Sequence, residues 1–401
     1  MNSDLLERAI DWRSGILARA QPVPTSLADI DVCHWAVTEG PVVDHSAAGG
    51  VGWSNDHARA AAIGEGIERY AAWASPIPLD PATLLEVLTL DDFSYFDSRQ
   101  RAEGLSEGMV TDDLVDVHPF GDGESVLVPA GLVSLNPRFG RLATSSGLAA
   151  DPNVWRALLR GTEELIERDA LMTTWVHGVA ARRIPMPERL DALVAAKGGD
   201  AAAFDLTPSW SPHPVIAVAG SLPLRGRKRR ALGCACRSDA AAALEKAWLE
   251  WVQGTLFAGY EVTRDPDRVL LAEDVRTFED HGVFYSLSGS RWDELPLWNG
   301  PATYMSANAP WTGVDDGTQL RSLHARLRAA GVRLFHRELT TPDVAGLGMR
   351  VVRVLSPDLV PIHVDHRAPY LGGRAAEVKW RYPWVDASTC RFPSPFPHPL
   401  G

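Results

Sequence analysis

Three pairs of oxygen-bearing side chains recur at one spacing in this chain: Glu65 with Glu68, Glu164 with Glu167, and Glu250 with Gln253. On a helix, residues i and i+3 share a face, with Cβ atoms about 5–6 Å apart. Two carboxylates placed this way repel one another and weaken an isolated helix slightly. A divalent cation between them removes that cost. Hard oxygen ligands suit Mg²⁺, which is held by a few carboxylates together with substrate phosphates and water. Several such pairs converging would make a two-metal phosphate clamp. A single Glu-x-x-Glu-Arg is ordinarily a solvated helix face, because Glu is almost never fully buried. Here Ala, Gly, Ile, Leu and Trp crowd the acids over 61–69, 161–170 and 244–253, so the three helices read as largely buried.

Each of these helices follows a lead-in of small residues. Ser46-Ala47-Ala48-Gly49-Gly50 and Val51-Gly52-Trp53-Ser54 precede a helix expected over 58–73. Thr144-Ser145-Ser146-Gly147-Leu148-Ala149-Ala150 precedes a second, with Asp151 as its cap and Pro152 in its first turn. Cys236-Arg237-Ser238-Asp239 precedes an Ala-rich third helix expected to run through Phe257. Small residues let a backbone approach a ligand closely, and a helix N-terminus favours anions.

Around these helices, strand patterns fall at 126–133, 214–219, 231–236, 331–338, 350–355 and 360–364. Apolar residues near helical spacing predict an amphipathic opening helix over 4–19, stopped by Gln21-Pro22-Val23-Pro24. Strands and helices mix without regular βαβ alternation. The expected class is therefore α+β, with mixed or antiparallel sheets in one intimately packed unit.

Composition narrows the function classes. The chain has 401 residues, 45% hydrophobic and 22% charged, which is normal for a globular protein with a large core. Its 51 Asp+Glu against 39 Lys+Arg give a formal charge of −12, which argues against nucleic acid and anionic membrane surfaces as partners. The one compact basic run, Arg225-Gly226-Arg227-Lys228-Arg229-Arg230, reads as a solvated hairpin turn, with a docking patch as the alternative. The 14 Trp read mostly as packing residues. Cys33, Cys234, Cys236 and Cys390 fit neither a redox nor a paired zinc spacing, so reduced thiols in a cytoplasmic protein are expected. The first residues lack a signal-peptide pattern and no stretch has the apolar length of a membrane span.

Rival motifs are weak. His363-Val364-Asp365-His366 offers metal-ligand residue types at strand spacing, and reads as structural or substrate-lining. There is no Gly-x-Gly-x-x-Gly, no Walker-type lysine loop and no Gly-x-Ser-x-Gly elbow, so dinucleotide, P-loop and hydrolase readings lack support.

Taken in order, the motifs resemble those of YcaO proteins. Gly-Glu-x-x-Glu-Arg-Tyr at 64–70 and Ser-Ser-Gly-Leu-Ala-Ala with Glu-Leu-Ile-Glu-Arg-Asp-Ala at 145–170 are similar to that family's first two signature helices. The 244–253 helix is similar to the third. Glu338-Leu339-Thr340-Thr341-Pro342-Asp343, Val351-Val352-Arg353-Val354-Leu355-Ser356-Pro357 and Leu371-Gly372-Gly373-Arg374 resemble its downstream passages, those last residues its cyclodehydratase branch. The resemblance runs from about residue 45 to the end, leaving 1–44 as a lead-in segment.

The resemblance implies an ATP- and Mg²⁺-dependent enzyme that converts Cys, Ser or Thr of a ribosomally made precursor peptide into azolines. By motif position it implies Glu65, Glu68, Glu164 and Glu167 as metal ligands. Arg69, Ser146, Arg168, Glu250, Gln253 and Arg353 would bind nucleotide within helices enclosing that site. Phosphoryl transfer fits such a set, since it needs positioning and charge neutralisation more than covalent help. The implied partners are a leader-binding protein resembling ubiquitin-activating enzymes and a flavin-dependent azoline dehydrogenase. With 44 residues upstream of the match, the leader-binding protein is expected to be a separate chain rather than a fused domain.

Val51, Ala61 and Arg156 depart from the family pattern, where Gly-Lys-Gly, Ser and an acid are common. The ending Pro393-Ser394-Pro395-Phe396-Pro397-His398-Pro399-Leu400-Gly401 favours an extended polyproline conformation. It resembles the proline-rich terminus that threads toward the active site in azoline-forming relatives, which would put Pro397, Pro399 and Gly401 at the reaction. Holding few large apolar groups, it should add little to the core. Thioamide or macrocyclic amidine formation, and a scaffold with a degenerate nucleotide site, remain the alternatives.

Overall fold

The computed structural model describes residues 6–25, 30–39, 48–78, 85–304 and 313–401. Ser46 and Ala47 of the first lead-in lie outside them. The contacts divide the chain into two compact units, the first comprising Met1–Val23, Val32–Leu165 and Gly313–Leu359. The second comprises Pro24–Asp31, Ile166–Thr312 and Val360–Gly401. All sheets are antiparallel, in keeping with the α+β expectation.

The first unit has two sheets. One has the order β1 (Leu17–Pro22), β2 (Cys33–Glu39), β3 (Ala48–Gly52). The other runs β5 (Val126–Pro129), β4 (Leu114–Pro119), β11 (Phe335–Glu338), β12 (Arg350–Leu355), β6 (Leu148–Asp151). Helix α1 (Asn55–Ala74) packs on both sheets. Ser54 caps it, its hydroxyl accepting from the His57 amide at 3.3 Å.

In the second unit a single sheet runs β10 (Arg227–Cys236), β9 (Val215–Leu224), β8 (Asp200–Asp205), β7 (Arg182–Ile184). Helix α3 (Ala240–Arg264) covers β9 and β10, and α4 (Phe278–Leu287) packs on β10 and α3. Asp239 caps α3 by accepting from the Ala242 amide at 2.9 Å. Helix α2 (Val154–His177) crosses the division after Leu165, so Glu164 belongs to the first unit and Glu167 to the second.

Both units use one packing device. A Cβ on Gly50 would lie 2.2 Å from the Ala58 carbonyl oxygen, and one on Gly233 2.1 Å from that of Ala247. Glycine is therefore required where β3 meets α1 and where β10 meets α3. Buried Trp248 and Trp251 of α3 confirm the packing reading for those tryptophans, whereas Trp12 is exposed.

Four local expectations fail, each for a visible reason. The helix expected over 4–19 is cut short: of its described residues only Leu6 and Glu7 are helical, and a turn and β1 follow. The Asp11 carboxylate collects the Arg13 and Ser14 amides at 2.8 and 2.9 Å, and Ile10 bridges to Leu17. Asp151 and Pro152 precede α2 instead of opening it. Asn153 does the capping, its side-chain oxygen accepting from the Trp155 amide at 3.0 Å. Residues 360–364 form no strand, because Pro361 has no amide to offer and the Val360 amide goes to the Asp169 carboxylate at 2.8 Å. The third helix runs beyond Phe257 to Arg264. The basic run does form a two-residue turn, with Leu224 facing Arg227 across the β9–β10 hairpin.

Candidate functional site

In the first unit α1 presents Glu65 and Glu68, and α2 presents Glu164. Each carboxylate accepts a backbone N–H from a strand or lead-in beside it. Gly49 donates to Glu65 at 3.1 Å, Ala150 to Glu68 at 2.9 Å, and Gly147 to Glu164 at 3.2 Å. Arg69 also pairs with Glu65 one turn away. The small residues read as lead-ins therefore supply amide donors to the acids themselves.

Glu68 shows what this crowding does. Its surface remains partly open, yet protein atoms enclose it closely, and that burial pushes its pKa up to about 8. The Ala150 amide opposes the shift, while the charges of Glu164 and Glu65 add to it. The three carboxylates thus form one like-charged group, which a hard cation would relieve.

Arg353, on β12, completes this set. It is fully buried and spends Nε on the Val133 carbonyl (3.1 Å) and Nη1 on the carbonyls of Thr144 (2.8 Å) and Ser146 (2.6 Å). Its Nη2 is buried without a hydrogen-bond partner. Burial lowers its pKa to about 10, with Tyr95, Glu164 and Glu68 pulling the other way. A cation with an unused donor, within electrostatic reach of two carboxylates, fits a phosphate and its metal. The Ser146 side chain is buried and takes the Thr144 hydroxyl at 3.1 Å.

The second unit gathers the remaining acids around β10. Glu167 accepts from the Cys236 amide at 3.2 Å and pairs with Arg168 at 2.9 Å. Glu250 pairs with Lys246 at 3.1 Å, and Gln253 lies half-buried one turn further along α3. Cys234 reports their proximity: burial raises its thiol pKa, Glu167 and Glu250 raise it further, and Arg168 opposes them.

The departures from the family pattern have local accounts. Val51 is buried on β3 opposite His34. Arg156 pairs with Asp316 at 3.1 Å on the exposed side of α2. Ala61 is exposed on α1.

The tail is packed down, contrary to the expectation that it adds little to the core. Pro397, His398 and Pro399 are buried. Trp175, His281 and Tyr285, which no local sequence pattern marks, hold it. Gly401 is exposed and lies against Gly282 of α4. His281, His363 and His398 bring potential ligand atoms within 4.8 Å of one another. His281 and His398 already face backbone carbonyls with ring nitrogens, however. The two nitrogens of His281 face the His398 and Val364 carbonyls at 2.7 and 3.0 Å, and Nε2 of His398 faces that of His363 at 2.8 Å. These contacts favour a structural over a metal-binding part, and among the described residues Asp365 and His366 do not join the three histidines as a metal group.

Among the described residues no helix is long and apolar enough to cross a membrane. No curated protein matches the chain. Among solved structures, a heterocyclase in complex with substrate and cofactor superposes with TM-score 0.77 at 18% identity, over 98% of this chain and 56% of that one. The chain thus spans little more than half of that relative. YcaO from Methanopyrus kandleri, bound with AMPPCP and Mg²⁺, gives TM-score 0.66 at 18% identity, over 88% of this chain and 89% of that one. A chain of the E. coli microcin synthetase McbBCD complex with pro-MccB17 gives 0.60 at 14% identity, over 87% and 90%. At these identities the likeness establishes the fold. The family model for YcaO cyclodehydratase, described as ATP- and Mg²⁺-binding, matches residues 49–360, and the chain belongs to the YcaO family.

Proposed function

We propose that this protein is an ATP- and Mg²⁺-dependent cyclodehydratase that forms azolines in a ribosomally made precursor peptide. The side-chain sulfur or oxygen of Cys, Ser or Thr adds to the preceding backbone carbonyl carbon. The resulting oxyanion takes the γ-phosphoryl group of ATP, releasing ADP. Phosphate then leaves with its C–O bond, and loss of the amide proton gives a C=N bond. The peptide has lost one water.

The carrying observation is the like-charged set of Glu65, Glu68 and Glu164 beside the unused Nη2 of Arg353. Glu65, Glu68, Glu164 and Glu167 would hold Mg²⁺, which neutralises phosphate charge when bound. Arg69, Ser146, Arg168, Glu250, Gln253 and Arg353 would orient the nucleotide. Arg353 is fixed by three carbonyls, so its free N–H points without further ordering. Residues Pro397, Pro399 and Gly401 are assigned to the reacting end. The rigid alternating prolines lose little entropy on ordering, which suits a fixed position.

The heterocyclase with substrate and the microcin synthetase complex support two classes of partner, a precursor peptide and a leader-capturing protein. A flavin-dependent dehydrogenase would then oxidise azolines to azoles. A cytoplasmic location suits such an assembly. The test is mass spectrometry of candidate precursor peptides incubated with the protein, ATP, Mg²⁺ and the leader-binding protein. Loss of one water per site with ADP release is expected. Exchange of oxygen for sulfur would replace this reading with thioamide formation, and peptide binding without ATP turnover would make the protein a scaffold.

A further inference from the structure

A tail of alternating prolines has a register problem. Pro393, Pro395, Pro397 and Pro399 superpose on one another when the chain slides by two residues. At about 3.1 Å per residue, such a slip would move everything downstream by about 6 Å. Prolines offer no N–H, so only carbonyls and the intervening side chains can fix the position. A one-residue slip of a strand is resisted by its side-chain pattern, and a two-residue slip here needs a comparable key.

The second unit supplies it. The Pro397 carbonyl receives two donors, Trp175 Nε1–H at 2.7 Å and the Tyr285 hydroxyl at 2.6 Å. The next residue, His398, is fully buried in a pocket of rings. It stacks on His281 with centroids 3.6 Å apart and planes 2° from parallel, and meets His363 edge-on at 4.8 Å. Nε2 of His398 lies 2.8 Å from the His363 carbonyl, and the His398 carbonyl lies 2.7 Å from Nδ1 of His281. A slip by two would bring Phe396 or Leu400 to this place, and neither can donate to the His363 carbonyl.

We propose that His398, seated among His281 and His363 and flanked by the doubly held Pro397 carbonyl, is the register pin of the tail, with Trp175 and Tyr285 as positioning residues. Two observations say why register matters. A Cβ on Gly282 would lie 3.3 Å from the Cα of Gly401 and 2.9 Å from the ring of Phe257, so the tail's end meets α4 where α4 meets α3. Phe257 stands one turn from Gln253 on α3, on the same face. The pin therefore decides which residue of the tail arrives beside the Gln253 face. The consequence for turnover rests on the reading that the tail serves the reaction; the pin itself does not.

The test compares His398→Leu, His398→Gln and Tyr285→Phe with the parent in the full 401-residue chain. Deuterium exchange is followed at the amides of the tail. The pin predicts faster exchange by roughly tenfold in His398→Leu and Tyr285→Phe, since each leaves a buried carbonyl short of a donor. His398→Gln keeps a donor and should recover part of the protection. For MgATP hydrolysis, kcat should fall about tenfold with KM for ATP within about twofold, a split that general loosening would not produce. Parent-like tail exchange in both His398→Leu and Tyr285→Phe would overturn the pin. Faster exchange with unchanged kcat would support the pin and overturn the tail's part in the reaction, so the two failures are distinguishable. Tyr285→Phe keeps the ring volume and decides the matter if His398→Leu fails to fold.

Discussion

The acids of the two units are neutralised in different ways. In the first unit Glu65, Glu68 and Glu164 each accept a backbone amide, Glu65 also pairs with Arg69, and Glu68 is left with its pKa raised to about 8 by burial and by its neighbours. In the second, each acid has a cation of its own: Glu167 has Arg168, Glu250 has Lys246, and fully buried Asp169 has Arg381. Amide dipoles orient a carboxylate without cancelling its charge. The first unit therefore holds an enclosed acid, Glu68, whose ionised form burial and its neighbours Glu164 and Glu65 disfavour, whereas the three second-unit acids named here each have a cation beside them. On the proposed function, the difference predicts a stronger pull on Mg²⁺ from the Glu68 group and a more geometric role for the second unit's acids.

Substitutions on the two sides should have opposite effects on stability. Glu68→Gln removes a repelling charge from an enclosed site, so the metal-free protein should keep its fold and melt no lower than the parent. Its turnover should fall by about two orders of magnitude or more, as expected when a charge-stabilising group is lost. Glu167→Gln should lose turnover similarly. Calorimetry adds a check, since Mg²⁺ should strengthen ATP binding by the parent much more than by Glu68→Gln. Near-wild-type turnover of either variant at saturating peptide would remove that residue from the metal set. In the second unit the sign reverses. Arg381 donates to both carboxylate oxygens of Asp169, and its loss in Arg381→Ala leaves a buried charge unpaired. About 3–5 kcal/mol of unfolding free energy should be lost, measurable by chemical denaturation. A loss under about 1 kcal/mol would mean that the second unit's acids are not balanced by their cations.

Much of this was readable in the sequence, and the unreadable part has a common cause. The acid helices were legible because i,i+3 spacing among small and apolar residues survives in one dimension. The strands β9, β10 and β12 were legible from their apolar runs. The donors to the acids were not. Gly49, Ala150 and Gly147 act through backbone amides, which carry no residue signature. The opening helix stops after Glu7 because Asp11 offers the chain a local turn that competes with helical bonds. The tail's proline pattern gave no sign of its seat. Trp175, His281 and Tyr285 lie more than a hundred residues away and are joined to it only by the fold.

The smallest expected effect is also the most direct probe of the first unit's charge imbalance. An acid normally ionises near pH 4.5 in the unfolded chain, whereas Glu68 in the fold is raised to about 8. Between those values the folded state holds a proton that the unfolded state has released. Stability contributed by Glu68 is therefore present at low pH and is lost as pH rises through this window, levelling off above about 8. The ceiling is about 1.4 kcal/mol per pH unit for one proton. Partial solvent access and coupling among three carboxylates should reduce the total to about 1–2 kcal/mol. Denaturation in EDTA at about pH 5.5 and about pH 8.5 should show Glu68→Gln gaining on the parent by that amount. Mg²⁺ favours the ionised carboxylates, so adding it should shrink or reverse the variant's advantage at the higher pH. An advantage that is equal at both pH values, or indifferent to Mg²⁺, would show the first unit's acids to be as well balanced as those of the second.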